Sequence, residues 1–124
     1  MKLRFILAIV LFVLPACVQA APLTIEGEAK VIDGRTIEIW GQRIRLWGIA
    51  AIPPGTKAAE DSTRQLRRLI ADVIVRCKSM EASSLRFTVA RCYVGGIDIA
   101  WPLVLTGSAQ DDSSESGGYY AGRK

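Results

Sequence analysis

The chain has 124 residues, no histidine, three cysteines and a formal net charge of +4, from 16 basic against 12 acidic residues. That length supports one small domain with a single core and is too short for two. The absence of histidine excludes a cysteine–histidine nucleophile pair, so the cysteines read as structural.

At the N-terminus, Lys2 and Arg4 precede an apolar run from Phe5 to Leu14, and Val18-Gln19-Ala20 has the small-residue pattern of a signal peptidase site. Residues 1–20 therefore read as a cleaved secretory signal, because a membrane-spanning helix needs about 20 apolar residues and this run is shorter. A rival reading takes Leu14-Pro15-Ala16-Cys17 as a lipobox, leaving Cys17 as a lipidated N-terminus. Both place the domain outside the cytoplasm: periplasmic, secreted, or anchored to the envelope. Without Lys2 and Arg4 the remaining 104 residues carry 14 basic and 12 acidic side chains, a net charge of +2, so the charge of the whole chain overstates any attraction to nucleic acid. Cys77 and Cys92 are left as an even pair in an oxidising compartment, where a bridge is expected if geometry permits.

Next comes VIDGRTIEIWGQRIRLWGIAA, Val31 to Ala51. Ile37 and Ile39 alternate with Thr36, Glu38 and Trp40, and Ile44 and Leu46 alternate with Arg43, Arg45 and Trp47, the period of two of half-buried strands. Gly41-Gln42 reads as a two-residue type II′ turn, with glycine first. That turn pairs Trp40 with Arg43, Ile39 with Ile44, Glu38 with Arg45, Ile37 with Leu46 and Arg35 with Gly48, leaving one face aliphatic and the other charged and aromatic. Arg35 and Ala50 then share a face as diagonal neighbours, roughly 7 to 8 Å apart, where two acidic side chains could share a metal ion. An ion pair with Glu38 would explain Arg45 without a substrate, and Trp40 beside Arg43 reads as a surface stacking pair before a base-stacking platform.

Pro53-Pro54-Gly55 ends the strand, Thr56 is an N-cap, and Leu66, Leu69 and Ile70 sit at helical spacing in a helix from Lys57 to about Ile70. Glu60 and Arg64 form an i, i+4 pair on it, and Arg64, Arg67 and Arg68 read as a solvated face before a basic groove. Val73 to Lys78 and Thr88 to Val94 are two more strands; as a hairpin centred near Ser84 and Leu85 they place Cys77 opposite Cys92. Gly95-Gly96 is a turn, Ile97 to Thr106 a further apolar segment, and residues 110–124, with DDSSESGG, a flexible polar tail beyond a domain at 21–109.

The run from Val31 to Ala51 resembles the thermonuclease, or staphylococcal-nuclease-like, family, whose members carry an Asp-Gly-Asp-Thr turn and an Arg-Leu-X-Gly-Ile-Asp-Ala-Pro-Glu strand. The similarity continues through VARCYVGGIDIAWPLVLTG and SGGYY and covers most of the chain after residue 20. It implies a mainly β, α+β domain: a five-stranded OB-type barrel with one to two helices. It also implies calcium-dependent phosphodiester hydrolysis, with carboxylates on the metal, a glutamate as general base and two arginines on the phosphate.

This sequence departs from that pattern where the chemistry is carried. Asp33, Gly34 and Thr36 are retained, but the second turn aspartate falls on Arg35 and the strand aspartate on Ala50. The following proline and glutamate fall on Ile52 and Pro53, so the general base is missing. Arg45 retains the first arginine; the second falls on Phe87, with Arg86 reachable only by a one-residue slip. Calcium takes about six to eight oxygen ligands, which Asp33 alone cannot supply, and loss of a general base typically costs about 10²- to 10⁴-fold. No cofactor is therefore expected. The resemblance and its gaps imply a catalytically disabled nuclease scaffold that binds an anionic ligand, such as single-stranded nucleic acid, through Arg35, Arg43, Arg45 and Arg86, or binds a protein. A weak or metal-altered nuclease and an envelope-anchored structural module are the alternatives.

Overall fold

The computed structural model describes residues 8–16, 23–80 and 86–122. The signal-peptidase motif, Cys17, the Ser84 and Leu85 hairpin centre and the last two residues of the expected tail lie outside them. Ten elements follow in order: β1 (Thr24–Glu28), β2 (Lys30–Asp33), β3 (Thr36–Ile39), β4 (Gln42–Leu46), α1 (Lys57–Ile70), β5 (Ile74–Ser79), β6 (Thr88–Val94), β7 (Ile97–Asp98), α2 (Ala100–Leu105) and α3 (Ser113–Ser116). The class is α+β, and among the described residues no helix is long and apolar enough to cross a membrane.

The strands form one seven-stranded sheet in the order β1-β5-β6-β4-β3-β2, with β7 added to β6. Only β4 and β6 pair in parallel. The expected five-stranded closed barrel is not what the ladders show, because no ladder joins β1 to β2 at the two ends of the order. Those end strands are nonetheless consecutive, separated only by Ala29. A chain that passes from one edge of a sheet to the other within one residue forces the sheet to curl. The indole Nε1–H of Trp40 spans the same gap, donating to the Glu26 carbonyl at 2.9 Å.

The β3–β4 hairpin corrects the expected register. Its pairs are Ile39 with Gln42, Glu38 with Arg43, Ile37 with Ile44 and Thr36 with Arg45, so the turn is Trp40-Gly41. Both turn residues have positive φ, 53° and 76°, as a type I′ turn requires. The two-residue shift keeps every side chain on its face, and Ile37, Ile39, Ile44 and Leu46 are all buried as the alternation predicts. Trp40 tolerates the left-handed conformation because its ring is held by the bond to β1 and packs on Gly27, where an added Cβ would lie 2.6 Å from Nε1. The indole is 85 % exposed and reaches β1 from the surface through that one bond.

Helix α1 has the bounds its sequence predicts. Thr56 caps it, its side chain accepting from the Ala59 amide, and Leu66 and Ile70 enter the core while Leu69 packs at its edge. Arg64 pairs with Asp61 at 3.3 Å, one turn position short of the expected Glu60. That exposed pair contributes well under about 1 kcal/mol. In the second hairpin, Cys77 faces Cys92 as expected and the two are joined in a disulfide. The apolar segment after Gly95-Gly96 divides into β7 and α2.

The segment expected to be a flexible tail is packed against the sheet. Asp111 bridges to Ile49, the Ala50 amide donates to the Gln110 carbonyl at 2.9 Å, and the Asp112 amide donates to the Gly48 carbonyl at 2.8 Å. Asp112 caps α3, and the left-handed Gly117 ends it. Tyr120 is 1 % exposed and joins the core, its hydroxyl donating to Asp98 Oδ2 at 2.6 Å. Composition hid this docking, because one aromatic ring supplies most of the apolar burial.

Burial, and then the Asp98 bond, push the Tyr120 hydroxyl pKa well above its ordinary value of 10.0. The folded state therefore favours the neutral phenol. The resulting stability is fully present below pH 10 and is lost as the pH rises beyond it, because the unfolded chain ionises first. We expect thermal stability to fall above pH 10 in the parent and to fall much less steeply in Tyr120→Phe. Parallel alkaline limbs in the two proteins would refute this assignment.

Candidate functional site

Beside the β2–β3 turn lies a cleft of about 280 Å³, lined by Asp33, Arg35, Thr36, Ala50, Ile52 and Ser62 among others. The turn forms because Asp33 Oδ1 accepts the Arg35 amide at 2.9 Å, a local bond aspartate makes readily. Gly34 is required there, since a Cβ on it would lie 2.3 Å from Ser62 Oγ of α1. The cleft thus joins three separate segments: the turn, the strand exit at Ala50 to Pro54, and α1. Positions 33, 35 and 50 line the same cleft, although the observed register sets Arg35 opposite Leu46 and not Gly48, so 35 and 50 do not meet as the diagonal neighbours expected from the hairpin.

The chemistry at the cleft is cationic. Arg35 is half-buried and Nη1 donates weakly to the Ile49 carbonyl at 3.4 Å. Burial, then repulsion from Arg45, hold its pKa below the ordinary arginine value, against attraction from Asp33 and Glu115. It remains a cation at neutral pH, because guanidinium does not deprotonate in proteins. Ser62 Oγ, on a residue only 1 % exposed, has no hydrogen-bond partner. Packed against Gly34, that hydroxyl is closed off from the cleft, and leaving it unsatisfied costs about 1–3 kcal/mol.

These residues do not fit calcium. Asp33 is the sole carboxylate lining the cleft and is engaged with the Arg35 amide, while Ala50 and Ile52 present no donor side chains. Among the described residues no cluster of three carboxylate, cysteine or histidine side chains could hold a metal ion. Pro53 contributes only its carbonyl, which accepts the Thr56 hydroxyl at 2.9 Å.

Arg45 stands outside the cleft lining. It faces Thr36 across the hairpin and not Glu38, and its Nη2 donates to Glu115 Oε2 at 2.7 Å. The other oxygen, Glu115 Oε1, accepts the Gly48 amide at 2.7 Å. The guanidinium lies 5.3 Å over the Phe87 ring, so positions 45 and 87 adjoin, but position 87 offers a ring in place of a second cation. Gly48, at φ 81°, turns the chain out of β4; a Cβ there would meet the Tyr120 ring at 2.7 Å. Arg43 is exposed opposite Glu38, and Arg86 is exposed beside the end of β6, so neither joins the cleft.

Sequence reasoning missed Ser62, Glu115 and Tyr120. Asp112-Ser113-Ser114-Glu115 has the spacing of a capping box, aspartate at the N-cap and glutamate three residues on, which could have marked α3. In the fold that glutamate is diverted from its own helix to Arg45. The chain matches no protein-family model, and no curated protein matches it. Its class is defined by the fold and the site alone: an α+β domain with a curled open sheet, a buried disulfide and a half-buried arginine in a cleft lined by a single carboxylate.

Proposed function

We propose that this is an exported binding domain built on a thermonuclease-like, OB-type scaffold, which recognises an anion at the Arg35 cleft and does not hydrolyse phosphodiesters. The observation that carries the reading is the composition of the cleft: a half-buried cation where the resemblance calls for paired carboxylates. A guanidinium in a cleft suits a phosphate or carboxylate group, with charge-assisted bonds about twice as strong as neutral ones. The contact between Arg45 and Phe87, and the cleft shared by positions 33, 35 and 50, support the scaffold assignment. Single-stranded nucleic acid is the ligand class most consistent with that scaffold.

The test is a titration of a short single-stranded oligonucleotide at two salt concentrations, with Arg35→Gln alongside the parent. We expect Arg35→Gln to weaken binding by about tenfold or more, from loss of a charge-assisted contact. The parent's affinity should fall with salt with a slope of about −0.7 per phosphate contacted. Salt-independent binding, or binding unchanged in Arg35→Gln, would rule out this reading. A parallel digestion with calcium is expected to leave the DNA intact, and chelator-sensitive cleavage by the unaltered protein would overturn the loss of hydrolysis.

A further inference from the structure

Glu115 holds Arg45 in the arrangement of a bound oxyanion. One carboxylate oxygen takes a guanidinium N–H and the other takes the Gly48 backbone N–H, each at 2.7 Å. Two donors converging on adjacent oxygens of one anion are equally suited to a phosphodiester. Both partners are largely desolvated, with side-chain exposures of 23 % and 14 %, and Arg45 Nε is buried without a partner.

The contact is one of several that hold the C-terminal segment in place. That segment is also secured by the Ile49–Asp111 bridge, the bond from the Asp112 amide to the Gly48 carbonyl, and the burial of Tyr120. A partly buried ion pair is weak evidence for stability, since desolvation offsets much of its attraction. Glu115 also acts on the cleft, because its charge attracts Arg35 while Arg45 repels it. One carboxylate therefore offsets part of the charge of two neighbouring arginines.

We infer that Glu115 is a built-in competing anion: its carboxylate occupies the Arg45–Gly48 seat, and an external phosphate-bearing ligand gains that seat only by displacing it. This rests on the anion-binding reading above and adds a specificity determinant to it. A small, singly charged anion gains little by replacing Glu115, whereas a chain of phosphates that also contacts Arg35 offers two contacts for the one it breaks. Both incur the same cost of displacing Glu115, and only the polyanion has the second contact at Arg35 to offset it.

The experiment compares the parent, Glu115→Gln, Glu115→Gln with Arg45→Gln, and Glu28→Gln, which removes the same charge from the exposed edge strand β1. The probes are inorganic phosphate and an eight-residue oligothymidylate, with thermal melts confirming the folded state. Glu115→Gln is expected to bind both probes about tenfold tighter than the parent. Adding Arg45→Gln should abolish the gain, and Glu28→Gln should not reproduce it. A folded Glu115→Gln that binds no tighter than Glu28→Gln overturns the proposal. Should Glu115→Gln fail to fold, the parent decides it: titrated oligothymidylate must shift the Gly48 amide resonance as its acceptor changes, and an unmoved resonance at saturation overturns it. Parent binding that depends on Arg35, without any gain in Glu115→Gln, defeats only this inference. No binding by any variant defeats both this and the anion-binding function.

Discussion

Tyr120→Ala is expected to remove a large share of the domain's stability. Truncating a buried aromatic side chain costs about 3–5 kcal/mol, against a total stability of about 5–15 kcal/mol for a native domain. Tyr120 is 1 % exposed and meets Trp47 and Trp101 at ring centroid distances of 6.0 and 5.5 Å. Its hydroxyl also supports Asp98, a buried carboxylate that otherwise has Arg91 Nη2 at 3.3 Å and the Ala100 amide at 3.0 Å. Losing the phenol removes one of the groups that offset the desolvation of that charge. Urea unfolding checks this. Tyr119→Ala, on a ring 36 % exposed, should shift the midpoint far less, and equal midpoints for the two variants would show that the C-terminal segment is not part of the core.

Loss of the Cys77–Cys92 bridge has the second large effect. The bond closes a 15-residue separation, for which the loss of unfolded-chain entropy on cross-linking is about 3 kcal/mol. The paired alanine variant should therefore melt roughly 10 °C or more below the parent, given about 4–8 °C per kcal/mol for a domain of this size. Both cysteines are fully buried between β5 and β6, so part of the loss will be packing. Comparing the parent melted with and without reductant separates the two contributions: reduction removes the cross-link and leaves the sulfur atoms in the core. A reduced parent that melts with the oxidised one would show that the bridge contributes nothing measurable.

Much of the fold was legible because it depends on local pattern. Alternation marked Ile37, Ile39, Ile44 and Leu46 as the buried face of the first hairpin, and Thr56 marked the start of α1. The centre of symmetry near residues 84 and 85 brought Cys77 opposite Cys92. Strand β1 was less legible: its partner β5 lies about 50 residues further along the chain, beyond the reach of any local pattern. The cleft was half legible. Arg35 and Ala50 were read as neighbours on one face, but Ser62 approaches through the packing of α1 on the turn, which the periodicity of neither segment reports.

Sequence alone determined which faces of the strands are apolar, where α1 begins, that Cys77 and Cys92 can face each other, and that positions 35, 50 and 53 carry no carboxylate. Each of these depends on residue identity and short-range spacing. Tertiary structure decided the rest. A two-residue slip in the β3–β4 register leaves the hydrophobic pattern unchanged, so the choice of Trp40-Gly41 as the turn fell to contacts with β1. The polar C-terminal segment docks through a single buried ring. Arg45, read from sequence as a partner of Glu38 or of a phosphate, is held by a carboxylate 70 residues away, because long-range packing decides which of several possible charges a guanidinium meets.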